Sequence, residues 1–572
     1  MRKFDPSAPL SLVSGEHRFL PPEDLAVRLM ELPARQRLDL LLDRPDAAAV
    51  VAALAEQDFY LFVRELGEYE VAPLLALASF EQFNHILDME GWQGDEVQGG
   101  RALVWCSRLA EANLAGLFSW VWQADIELFF LLFQQWVEVL PFPEDEQDET
   151  EAMDRVPSLT IDGQFYFRVR YPDHEHTIRQ LLQALFEEDR SQYQKLMLHL
   201  QQGADAEVAE LAYRFHRGRL EDLAIPVLAE ATHIYLPLRS GQVMVKKGIP
   251  LVAEYRAPNF VLALAPREGL LAQALAGISD LAVGAGIRLE LTALANKVVV
   301  ADELAAEEPQ SLRRAVAKVT AFVELGLAVV AGGEVGQATG ILQRLFLEDI
   351  FRLGYTGLAE VAARLSRMRR EGWMRDWPHG LAILDQPWEE RATLLGGQTP
   401  MILRPGIGAA SEGVEDYPRT LADLQETGEF VAMLETLAPI YTAMRAEWPA
   451  GWDPLAEMLW ADGQARTLTA VTLGTLCCTA AANFLWQGVW RAAPLPVGAW
   501  PEILPLLTPE ALGRSVAEHL RELLPTAEGR QRAGRYLAPV LARYAEEMTA
   551  LDPRQLPDPR FMHLFLFTAS DH

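Results

Sequence analysis

The sequence predicts a mainly α fold with one small β-hairpin, and three patterns carry that prediction. Pro22, Pro33 and Pro45 stand 11 and 12 residues apart, and each opens a short run whose apolar residues recur at helical spacing. Longer stretches further on repeat the i, i+3, i+4, i+7 stripe of helices that face a core. Only one place pairs β-prone runs across a tight turn, at Asp162-Gly163.

The elements follow in order. Proline suits a first helical turn, where its missing N–H has no partner to lose. Pro22 leads to Leu25, Leu29 and Leu32; Pro33 to Leu38, Leu41 and Leu42; Pro45 and Asp46 to Val50, Val51 and Leu54. Further units start near Gln57 (Phe59, Phe62, Val63, Leu66), Val71 (Leu74, Leu75) and Phe80 (Phe83, Ile86, Leu87). Helices this short are unstable alone in water. Stacked units bury a shared core, which is the logic of a solenoid. The expected order is an irregular arm at 1–17, a helical-repeat domain at 18–140 and an acidic linker at 141–157. A central α domain at 158–393 carries the hairpin at 159–169. A Gly/Pro-rich loop at 394–418 and a C-terminal α domain at 419–572 complete it.

The linker reads Pro141-Phe142-Pro143 and then Glu144 to Glu151, nearly all acidic. It lacks the spacing and glycine turn of a calcium loop. Asp173 is placed to cap a helix with Ile178, Leu181, Leu182, Leu185 and Phe186. A stripe from Leu312 to Val323 should stop at Gly332-Gly333. Helices resume from about Leu421 to Glu447. The apolar segment Phe561 to Phe567 should dock on the body, because exposure invites aggregation.

Composition bounds the function. Half of the 572 residues are apolar and 23% are charged, as in ordinary globular proteins, but the net charge is −30. Such a field repels phosphate backbones and argues against nucleic-acid binding. The start, Met1 to Pro6, lacks the apolar core of a signal peptide. Cys106, Cys477 and Cys478 form no CxxC pair, and a low, odd count fits a reducing cytoplasm, the expected location. Leu114 to Leu140 is interrupted by Asp125, Glu127 and Glu138. Thr467 to Trp490 has no charge but carries five threonines. Both are expected to be buried helices rather than membrane spans.

Two resemblances add to this reading. Leu20-Pro21-Pro22-Glu23-Asp24-Leu25-Ala26, followed by Glu31-Leu32-Pro33, is similar to the superhelical N-domain of magnesium transporters and to flagellar motor-switch helical repeats, over residues 18–90. The transporters' regulatory modules and membrane helices have no counterpart downstream, so transport and metal ligands are not implied. Arg217-Gly218-Arg219-Leu220-Glu221-Asp222-Leu223, Tyr235-Leu236-Pro237-Leu238, Leu294 to Asp302 and Asp558-Pro559-Arg560-Phe561 resemble an uncharacterised bacterial family of this full length. That likeness implies fold and length, and no activity.

Chemistry-bearing patterns are few. His174 and His176 in Asp173-His174-Glu175-His176 would point about 200° apart on a helix and cannot share a metal. Zinc helices use i and i+4. Gly284-Ala285-Gly286, Gly332 to Gly336 and Gly396-Gly397 complete neither GxGxxG nor a P-loop. No GxSxG elbow occurs. No catalytic residue, cofactor or metal ligand is therefore assigned. The one local basic cluster is Arg364, Arg367, Arg369 and Arg370, with Arg375 beyond. It reads either as salt bridges to a neighbouring acidic helix or as a site for an acidic partner or anion. Trp120, Trp122 and Trp136, and Trp448, Trp452 and Trp460, read as core aromatics or as interface anchors.

The expected function is a non-catalytic interaction or regulatory protein that holds a protein partner on a helical-repeat surface, without stable membrane insertion. The alternative is an enzyme or small-ligand sensor with a site between domains, closed by the 394–418 loop. A magnesium-responsive regulator, taken from the N-terminal likeness, is a third possibility.

Overall fold

Pro22 sits at the first turn of the helix Pro22–Leu29, as its missing N–H favours. Ala34–Leu42 follows, with Pro33 at its N-cap, and Ala47–Ala52, with Asp46 there. Glu56–Leu66, Ala72–Leu75 and Phe80–Glu90 complete the series. These short helices lie where the apolar spacing puts them. The first packs on the third, the second on the fourth, and the fourth on the sixth. Ser79 and Gln82 cap the sixth reciprocally, each side chain bonding the other's backbone N–H.

The computed structural model describes residues 20–67, 69–140, 159–203, 206–246, 256–405, 413–459, 468–550 and 563–568. The 1–17 arm, the 141–157 linker, Trp460 and Asp558 to Met562 lie outside the described residues. The chain divides into two units, Met1–Arg352 and Leu353–His572, with the boundary inside the helix Leu347–Arg370. Mainly α holds for both, with small strand pairs.

In the first unit the aromatic run after residue 114 differs from the helix expected of it. Helices Gly99–Gln123 and Ile126–Trp136 form, but Val137–Leu140 is a strand. It pairs antiparallel with Tyr166–Val169, Val137 opposite Val169, and Leu159–Thr160 flanks the other side of that central strand. Alternate residues Val137 and Val139 are buried, a period of two that a continuous apolar run conceals. The Asp162-Gly163 turn is present. Gly163 takes φ 72°, and the Asp162 carboxylate accepts from the Gln164 and Phe165 N–H groups. Asp173 caps no helix; a 3₁₀ turn, Pro172–His174, leads into Glu175–Glu188 instead.

Two long helices, Leu281–Ala301 and Pro309–Ala331, pack together in this unit's core. Gly332 ends the second in the left-handed region at φ 60°, as expected of a C-cap glycine. Gly326 lets this helix meet Ile350, since a Cβ there would fall inside contact distance of the Ile350 carbonyl oxygen. Gly326→Ala is expected to destabilise the first unit by about 1–3 kcal/mol, read as a lower denaturation midpoint, because a backbone atom must move.

In the second unit the helices expected over Leu421 to Glu447 are two, Leu421–Thr436 and Ala438–Arg445, with Pro439 in the first turn of the second. Inside the stretch expected as a loop, Ile402–Arg404 pairs antiparallel with Val414–Asp416. Leu473–Gln487 is a core helix whose polar residues are used. The Thr479 hydroxyl accepts from Leu566 N–H, and Asn483 donates to the Arg491 and Ala493 carbonyls. Leu564 to Phe567 is buried, and Phe567–Thr568 runs parallel beside Leu495–Pro496, so this part of the apolar segment docks as expected. No single helix among the described residues is long and apolar enough to cross a membrane.

All three cysteines are buried and unpaired. Burial pushes the Cys106 and Cys478 thiols up to about 12 and raises Cys477 well above its ordinary value. The native protein is expected to leave a thiol reagent unreacted at neutral pH and to titrate three thiols per chain once denatured. Fast reaction of any one in the native state would reveal local opening.

Candidate functional site

The arginine cluster lies at the end of the helix Leu347–Arg370, where basic side chains complement the carbonyl end of the helix. Its members have different surroundings. Arg364 forms a forked pair with Glu435, 3.1 and 2.6 Å from its two oxygens. Arg367, Arg369 and Arg370 are exposed and make no ion pair among the described residues. Arg370 donates only to the Ser366 carbonyl, one turn back, and the Arg369 guanidinium lies against Gly396 at the end of Trp388–Leu395.

Three other arginines of the second unit are neutralised. Arg391 pairs with Glu426, Arg532 with Glu429, and Arg404 with both Asp416 and Asp423. All but Asp416 lie, with Glu435, on the helix Leu421–Thr436. That is the acidic helix the bland reading of the cluster calls for, and it takes up Arg364 alone of the four. The remaining three can bind carboxylates bidentately without first breaking an internal pair.

The stretches that carry the full-length family likeness supply buried cross-ties within the first unit. Arg219 grips Asp88 with two bonds, Nε to Oδ2 at 2.8 Å and Nη2 to Oδ1 at 2.7 Å, and also binds Asp125. His216 Nδ1 lies 3.0 Å from the same carboxylate, and its ring stacks on Trp92 with centroids 4.3 Å apart. Burial acts to raise the Asp88 carboxyl, but its bonds to Arg219 and His216 outweigh that and hold it below the usual carboxylate range. His85, buried beside them, is pushed down to about 4 chiefly by desolvation.

Tyr235 and Asp302, from two other such stretches, meet through Lys318. Lys318 is 1% exposed and donates to Asp302 and to the Tyr235 oxygen, each at 2.7 Å, while the Tyr235 hydroxyl donates to Asp302 at 2.6 Å. Burial lowers the amine and Asp302 opposes it. Asn296 donates to the Leu223 and Ala224 carbonyls, and Gln57 donates to Leu223 as well. Sequence reasoning missed Asp88, His216 and Lys318, since each is a lone polar residue in a helical stripe. These networks bind helices distant in sequence to one another.

The remaining motifs are placed apart. His174 Nδ1 lies 2.8 Å from the Ser107 hydroxyl, and His176 is exposed. Among the described residues no group of three His, Cys, Asp or Glu is arranged to hold a metal ion.

A mainly α chain of two units, the first cross-tied within itself by buried ion pairs and the second carrying an uncompensated arginine end, is the class of protein these features define. Residues 14–568 match the Family of unknown function (DUF6178), and the chain belongs to that family. No curated protein and no solved structure matches it.

Proposed function

We propose that the protein is a non-catalytic, cytosolic interaction or regulatory protein that holds an acidic protein partner. The observation that carries this reading is the set Arg367, Arg369 and Arg370, exposed and without ion pairs among the described residues, in a chain of net charge −30. Where most of the surface repels an acidic partner, a local cationic site decides both where it lands and how fast. The short helices near the N-terminus favour the same reading, because stacked short helices present extended faces to partners. Three buried thiols without a disulfide suit a reducing compartment.

The test is affinity capture from native lysate with the tagged wild-type chain and with the R367E/R369E/R370E variant, read by mass spectrometry. The wild type is expected to retain a stoichiometric, acid-rich partner in a salt-sensitive manner. The reversed variant should bind it at least about tenfold more weakly. Equal capture by both would remove the arginines from the interface.

A further inference from the structure

Arg364, Arg367 and Arg370 follow one another in steps of three residues along the helix Leu347–Arg370. Each step rises about 4.5 Å and turns about 300°, so each arginine stands about 60° round the helix from the one before. The winding starts beside a neighbouring helix. A Cβ on Gly357 would stand 2.9 Å from the Leu424 side chain, and Arg364 meets Glu435, so Leu421–Thr436 runs parallel alongside this stretch. Arg367 and Arg370 are carried about 60° and 120° away from it, into solvent. That rotation is why Glu435 takes Arg364 and leaves the other two.

Arg369 belongs to the opposite side, about 160° round from Arg367. A Cβ on Gly396 would lie 3.4 Å from its Nη1 and 3.7 Å from the buried Leu365, so its guanidinium lies along the packed seam with Trp388–Leu395. The solvent-facing set is thus a ridge of two arginines, with Arg364 beside them in a pair whose side chains are 38% and 44% exposed. Exposed pairs contribute little to stability, so an outside carboxylate displaces Glu435 at small cost. Glu360 and Glu371, both exposed, bracket the ridge and pair with none of its arginines among the described residues. They repel an acidic run that extends past it.

A matching ligand places two carboxylates about 4.5–6 Å apart on one side. An α-helix does so at i, i+3 or i+4, whereas same-side groups on an extended strand stand about 6.7 Å apart. Rows of residues three apart also fit the grooves of a second helix. Leu421–Thr436 already lays an acidic helix along this one through Glu435. We propose that Arg367 and Arg370, without Arg369, bind an acidic α-helix of a protein partner through carboxylates one turn apart, and that Glu435 masks Arg364 as a third contact. This rests on the reading of the arginine end as a partner site and names the form of that partner.

The experiment measures binding of labelled peptides to the full chain by fluorescence anisotropy at low salt. One alanine-based helical peptide carries glutamates at i, i+3 and i+7, on one face. Its isomer carries them at i, i+2 and i+5, spread round the helix. The one-faced peptide is expected to bind at least about fivefold tighter than the isomer. R367Q and R370Q should each weaken it about fivefold, R369Q should change it less than about twofold, and E435Q should tighten it about threefold. All four positions face solvent, and circular dichroism checks that each variant keeps the wild-type helix content. Equal binding of the two peptides, binding of neither, a loss in R369Q as large as in R367Q, or no gain in E435Q overturns the proposal. The wider reading fails separately, when R367E/R369E/R370E captures the lysate partner as well as wild type does.

Discussion

Asp88→Ala is expected to lower the stability of the first unit by about 3–5 kcal/mol, the cost of removing one partner from a buried ion pair. Asp88 is 5% exposed and takes both forks of Arg219 and the Nδ1 of His216. Without it a guanidinium and an imidazole lose their acceptor, and Arg219 keeps only Asp125. Asp88→Asn retains the volume and loses the charge, so it should fall between wild type and alanine. The two units need not unfold together, so a single global midpoint is a poor readout. Hydrogen exchange in peptides from Phe80–Glu90 and Ala206–Asp222 isolates the effect, because Asp88 ties those two helices. Adding Arg219→Met to Asp88→Ala should recover part of the loss, since the orphaned charge goes too. A change below about 1 kcal/mol in Asp88→Ala would mean that the network is only as strong as a surface pair.

Two buried groups of the first unit should make acid stability depend on pH in opposite senses. His85 titrates at about 4 when folded against 6.5 ordinarily. As pH falls through that interval the unfolded chain takes the proton first, so stability present above 6.5 is lost, in total about 3 kcal/mol. Asp58 runs the other way. It is wholly buried and accepts from the Asn259 and Phe260 N–H groups, and burial raises it to about 6. The folded chain protonates first, so its contribution is complete below 3.8, is lost as pH rises through about 6, and is of similar size, about 3 kcal/mol. In wild type the two largely cancel. His85→Phe is expected to gain stability relative to wild type as pH drops from 7 to 4, and Asp58→Asn to lose it. Denaturant midpoints of the three proteins across that range check both signs. Parallel curves for all three would show that neither group titrates in the folded state as its burial implies.

Much of the fold was legible because its signals are local. Proline at a first turn, Asp-Gly in the hairpin and Gly332 at a helix end act through the backbone of their own few residues. The burial of the cysteines and of the apolar segment Leu564 to Phe567 follows from composition alone. Val137–Leu140 was not legible, because its strand character depends on Tyr166–Val169, which pairs with it from beyond the acidic linker. The break at Leu437 was legible in principle, from Pro439.

The candidate site divides the same way. The sequence placed Arg364, Arg367, Arg369 and Arg370 on one helix, since spacing alone decides that. Which of them stays available for a partner depended on Glu435, 71 residues away, folding back onto Arg364. The Asp88–Arg219 tie spans 131 residues. Most helix ends and turns were therefore determined by the sequence itself, through interactions within a few residues, although the cap expected at Asp173 does not form. Only tertiary structure decided which charges neutralise one another, because a charge's partner is whichever group the packing of distant helices brings within about 3 Å.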